Sequence, residues 1–199
     1  MRRTGIQVQL RRVYIIFCVR IDHPVAARLR VAFGGKAGRI KLFDANARRQ
    51  RVSMATSTAY TICVAITVGG RRIKVFAGDE LACVSLSGDF DVARFSLNAP
   101  DRIGHRSQRA GTVRIGPEKL DVFTEAGSIT GMQKRVLDSK EMRTLIAFHS
   151  FREGEAIHLY RNGVLLYARN EDITPDLIGM LNALANVLPN GAGGPEKTD

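Results

Sequence analysis

The segment that most constrains the fold is a pair of short apolar runs joined by a turn signal. Ala156–Arg161 and Val164–Arg169 flank Asn162-Gly163, a dipeptide favoured in two-residue hairpin loops because both residues tolerate φ > 0. A hairpin closed there sets Leu159 opposite Leu166 and Ile157 opposite Ala168 on one face. On the reverse face it sets His158 opposite Tyr167 and Tyr160 opposite Leu165. Antiparallel pairing with one apolar face commits this part of the chain to a sheet that needs something packed on it.

A second hairpin is written in the same terms. Tyr60, Ile62, Val64, Ile66 and Val68 alternate with Thr61, Cys63, Ala65 and Thr67, Gly69-Gly70 follows, and Arg71–Phe76 continues the alternation. A Gly-Gly loop pairs Val68 with Arg71, Ile66 with Ile73 and Val64 with Val75, so the turn and the apolar pattern agree on one register. Leu81–Leu86 and Val92–Leu97 are two more strands around Ser87-Gly88-Asp89. Thr112–Ile115 and Leu120–Phe123 are short strands separated by Gly116-Pro117, and residues 100–110 form a polar, basic loop.

Helical spacing appears elsewhere. Ile129, Met132 and Val136 share a face, and Asp138 with Glu141 forms a capping box ahead of Met142, Leu145 and Ile146. These predict helices over about 129–137 and 139–148. Thr174 as N-cap, Pro175 at N1 and Asp176 in the first turn start a last helix, with Leu177, Leu181, Leu184 and Leu188 as its buried stripe. The fold class is therefore α+β: an antiparallel sheet built of hairpins, packed against two or three amphipathic helices over residues 54–189. Residues 190–199 (NGAGGPEKTD) are expected to be a disordered tail.

The charge is lopsided. Of 30 Lys+Arg in 199 residues, 13 fall in residues 1–53, against only Asp22 and Asp44, so this stretch carries the whole formal charge of +11. Three readings stand for residues 1–53: a solvated, weakly structured arm; a grip for nucleic acid or an acidic lipid surface through Arg11, Arg12, Arg28, Arg30, Arg39 and Lys41; or a stretch lying ahead of a native start at Met54. Leu29, Val31 and Phe33 alternate with Arg28 and Arg30, and Ile40 and Leu42 with Arg39 and Lys41, which allows a hairpin with one arginine-rich face.

Residues 60–188 resemble an uncharacterised bacterial family with a soluble α+β domain, often anchored behind membrane helices. The likeness lies in the order of "GGRRIKVFAGDE", "LDVFTEAG", "KRVLDSKEMRTLIAF", "AIHLYRNGVLLYAR" and a closing amphipathic helix. The resemblance implies no activity and assigns no functional residue.

Motifs for chemistry are scarce. Glycine-rich phosphate loops and the G-x-S-x-G elbow are absent from the sequence. Cys18, Cys63 and Cys83 are odd in number and widely spaced, which suits buried thiols in a reducing cytosol. His149 and His158, with Glu153 and Glu155 between them, lack a recognised ligand spacing, and residues 152–155 read as a solvated loop. No apolar run is long enough for a transmembrane helix. No catalytic residue, cofactor or metal ligand is assigned. The expected function is a non-enzymatic interaction or ligand-binding domain in the cytoplasm. Its contact face is His158, Tyr160, Leu165 and Tyr167, with an unknown protein or small ligand as partner. The alternative is sequence-independent binding of an anionic polymer or surface through residues 1–53.

Overall fold

The structure, a computed structural model, describes residues 23–33, 41–42, 60–99 and 107–191. Among these residues the strands are β1 (Lys41–Leu42), β2 (Tyr60–Val68), β3 (Arg71–Gly78), β4 (Leu81–Ser87), β5 (Phe95–Leu97), β6 (Gln108–Ile115), β7 (Glu118–Thr124), β8 (Ala156–Tyr160) and β9 (Gly163–Arg169). The helices are α1 (Pro24–Phe33), α2 (Gly131–Asp138), α3 (Lys140–Phe148) and α4 (Pro175–Val187), with one 3-10 turn at Asn170–Asp172. All nine strands join one antiparallel sheet in the order β1-β2-β3-β4-β9-β8-β5-β7-β6. The fold is the α+β arrangement that the hairpin pattern predicts.

The β2–β3 hairpin has the expected register, Ile66 against Ile73 and Val64 against Val75. Its turn residues Gly69 and Gly70 sit at φ +55° and +77°, the left-handed values a tight hairpin of this type needs. The β8–β9 hairpin differs. Its turn is Arg161-Asn162, and His158 pairs with Leu165, Ile157 with Leu166 and Ala156 with Tyr167. Gly163 lies in β9 instead, opposite Ser87 of β4, where a Cβ would stand 2.4 Å from the Leu86 carbonyl oxygen. The glycine is required by the close approach of β4 and not by the turn. Because each pairing moves by two residues, the faces are unchanged: Leu159 and Leu166 are both fully buried on the helix side.

β4 and β5 do not pair; the β8–β9 hairpin lies between them. Part of the expected loop 100–110 is strand, since β6 begins at Gln108 and pairs with β7 around Gly116-Pro117. The helix caps are also displaced. Thr130 and Gln133 form the capping box of α2. Ser139 ends that helix and caps α3 by accepting from the Met142 N–H at 3.2 Å, while Asp138 is taken by Arg143 at 3.1 Å. Thr174 caps α4 as predicted.

The core lies between the helices and one sheet face. Leu177, Ile178, Leu181 and Leu184 of α4 and Met142, Leu145 and Ile146 of α3 meet Ile66, Ile73, Leu86, Leu159 and Leu166. Part of the stretch ahead of residue 54 also packs on this core. Residues 24–33 form a helix, not one strand of an arginine-faced hairpin, and Val25, Ala26 and Leu29 are completely buried in the same core. Positions 25, 26 and 29 share a helical face, so tertiary packing overrides the short alternation at 28–33. Polar contacts seat α1: His23 Nδ1 accepts from the Val25 N–H at 3.3 Å, and its Nε2 lies 3.1 Å from the Gly78 carbonyl oxygen. β1 adds a further strand beside β2. At the C-terminus, Asn190 bridges to Phe90 and the Gly191 N–H donates to the Asp89 carbonyl at 3.0 Å, so the expected tail is anchored for its first two residues. The remaining tail, 192–199, lies outside the described residues.

Candidate functional site

The helices occupy one face of the sheet, and the predicted contact residues fall on the other. Cross-strand registry lays two rows over this reverse face. One runs Cys63, Phe76, Cys83, Tyr167, Ala156; the other runs Ser85, Leu165, His158, Ser96, Phe123. The aromatic rings meet although the register places His158 and Tyr167 diagonally. The two rings are edge-to-face at 5.2 Å, and His158 stacks with Tyr160 at 6.2 Å and 9° between planes. Diagonal neighbours on a sheet remain within reach of large side chains, so the pairing error cost nothing at this site. The Arg94 guanidinium lies 4.9 Å from the Tyr160 ring centroid, a cation–π distance, and 3.6 Å from Glu125.

The four predicted residues are not equivalent. His158 and Tyr167 are buried at 6% exposure each, whereas Tyr160 and Leu165 are half-buried. Tyr160 and Leu165 are thus the accessible tips of a surface that His158 and Tyr167 stiffen from within. Below them Cys83 is fully buried, and desolvation pushes its thiol up to about 12, with the Tyr167 hydrogen bond pulling the other way. Sequence reasoning missed Arg94 and Ser96, because β5 reaches this face only through its pairing with β8.

Of the predicted anion-binding residues, Arg28 is committed to the fold: its guanidinium donates to the Asn170 carbonyl oxygen. Arg30 is exposed on α1, and Lys41 belongs to β1. Arg11, Arg12 and Arg39 lie outside the described residues.

A third constellation contradicts an expectation. Residues 152–155 are not a solvated loop around Glu155; that carboxylate is completely buried. Its Oε2 accepts from the Arg152 N–H at 2.8 Å and its Oε1 from the Arg169 N–H at 3.0 Å, replacing backbone partners that neither strand nor helix supplies here. Asn98, at φ +71°, donates to the Arg152 and Glu155 carbonyls at 2.9 and 2.8 Å and cinches the same loop. His149, the C-cap residue of α3, sets its Nε2 3.4 Å from Glu155 Oε2, and Asp172 on the 3-10 turn completes a group whose ligand atoms all lie within 4.8 Å of one another. His158 plays no part in it: β8 carries that ring to the reverse face. Separately, an open apolar groove of about 260 Å³ runs between Met132 and Val136 of α2 and Val187–Pro189 at the end of α4.

Among the described residues no helix is long and apolar enough to cross a membrane. No family model matches the chain. No curated protein matches it either. The chain is similar in structure to the mycobacterial trehalose monomycolate transport factor A, TtfA, with a TM-score of 0.53 and 16% identity, over 86% of this chain and 99% of that one. That likeness shows a shared fold.

Proposed function

We propose that this chain is a non-enzymatic binding domain that engages a protein partner through the reverse face of its sheet, with Tyr160 and Leu165 as the contact residues. The observation that carries the reading is the aromatic assembly His158, Tyr160 and Tyr167 with Arg94 on the sheet face opposite α1–α4. Tyrosine and arginine in partly desolvated clusters are the residue types that dominate protein interfaces, because a rigid ring contributes large contact area at low entropic cost. The solved structure that shares the fold is described as a transport factor, which supports a role in binding or transport over one in catalysis.

A photo-crosslinking residue placed at Leu165 in the native host tests this. The expected result is a discrete protein adduct that is absent when the same probe replaces Phe148, an exposed residue of α3 on the opposite side. Binding of the captured partner should weaken about 30-fold in Tyr160→Ala, the equivalent of an interface hot spot of about 2 kcal/mol. Adducts at 148 but none at 165 would refute the assignment of the face.

A further inference from the structure

We propose that His149, Glu155 and Asp172 form a binding site for a divalent first-row transition metal ion, of which zinc is the best fit. The proposal is independent of the aromatic face, since none of these three residues belongs to it, although Glu155 and Asp172 flank the same β8–β9 hairpin. The His149 side chain is 5% exposed, yet its Nε2 makes no hydrogen bond among the described residues, and neither does the buried Asp172 Oδ2. A buried imidazole nitrogen and carboxylate oxygen left without hydrogen bonds, within 4.8 Å of each other, are a costly arrangement that a shared cation relieves. The spacing agrees. Two ligand atoms held at about 2.0–2.2 Å in tetrahedral zinc coordination stand about 3.4 Å apart, and His149 Nε2 and Glu155 Oε2 are 3.4 Å apart. Asp172 is a quarter exposed on a single 3-10 turn with its ligand atom within 4.8 Å of the other two, so binding requires its side chain to rotate inward, with the fourth position left to water.

The donor set decides the class of ion. One imidazole with two carboxylates suits zinc, manganese or nickel, whereas calcium and magnesium prefer all-oxygen shells. Neutral histidine and two carboxylates carry two negative charges, which a divalent ion balances. Arg152 now offsets part of that charge, 3.7 Å from Asp172. The backbone N–H bonds to both Glu155 oxygens, and the Asn98 clamp on the loop, fix the central ligand before any ion arrives, the usual task of outer partners in metal sites.

Calorimetric titration of the chelator-stripped full chain with zinc chloride, near neutral pH in a non-coordinating buffer, tests the site. One ion should bind per chain. His149→Ala and Asp172→Asn should each weaken it by more than about a hundredfold, since outer-shell partners alone are worth about 10–100-fold. With cobalt as a spectroscopic substitute, a visible ligand-field band should appear in the wild type and vanish in both variants. Asp172→Asn keeps the shape of a rim residue and decides the matter if His149→Ala does not fold. No stoichiometric binding, or wild-type affinity in Asp172→Asn, would overturn the proposal, the latter by placing the ion elsewhere on the chain.

Discussion

Leu29 and Val31 sit two residues apart, and the structure gives them opposite fates. Leu29 is completely buried and Val31 is 89% exposed. In an extended strand both would point to the same side; on α1 they stand about 200° apart around the axis. Leu29→Ala removes three carbons, about 2.4 kcal/mol at about 0.8 kcal/mol each. The void left against the core raises the cost into the range of about 2–5 kcal/mol seen for buried leucines. For a chain of this length that lowers the melting temperature by about 5–15 °C. Val31→Ala should stay within about 0.5 kcal/mol, as for other solvated positions. Urea unfolding followed by circular dichroism, at a constant m-value, measures both. Equal effects of the two substitutions, or a Leu29→Ala variant as stable as wild type, would refute the docking of α1 and return residues 23–33 to a peripheral arm.

Gly163→Ala should destabilise by about 1–3 kcal/mol, because the new methyl group meets the Leu86 carbonyl and forces β4 and β9 apart. Denaturant midpoints check it, and a neutral result would mean that the two strands are spaced more widely than the structure has them. The Cys83 thiol, raised from 9.0 to about 12 by burial, predicts a pH dependence. Its contribution is fully present below pH 9 and is lost as pH rises through about 12, because only the unfolded chain releases the proton in that window. Stability should fall by about 1.4 kcal/mol more between pH 8 and pH 10 in wild type than in Cys83→Ala. Parallel unfolding curves for the two at every pH would contradict that burial.

What was legible in the sequence were the features governed by neighbours along the chain. The Gly69-Gly70 turn and the β2–β3 register follow from residues that touch directly, as do Thr174, Pro175 and the leucine stripe of α4. The misreadings arose where a distant element set the outcome. Asn162-Gly163 carries the signal of a turn, but the glycine answers to β4, some seventy-five positions earlier in the sequence. The charge of residues 24–33 hid a helix whose three apolar positions matter only once the core is present to receive them. That His158, Tyr160, Leu165 and Tyr167 share the sheet face opposite the helices follows from alternation alone. Which of them are accessible depends on the whole sheet, and so does the arrival of Arg94. Glu155 was unreadable in principle: a glutamate in a loop with two glutamates and a glycine looks solvated until its backbone partners are known.

The strand order has a consequence for synthesis. β4 and β5 are consecutive in sequence, yet the sheet joins them only through β8 and β9. A nascent chain therefore emerges as two half-sheets, β1–β4 and β5–β7, each ending in a raw edge at the future seam. The wedge that closes it is complete only at Arg169, about eighty residues after Ser87. At about 5–20 residues per second the seam stays open for about 4–16 seconds. During that interval the β4 edge, with Cys83 and Val84 at its centre, is the part of the molecule most open to pairing with a neighbouring chain or to capture by a chaperone.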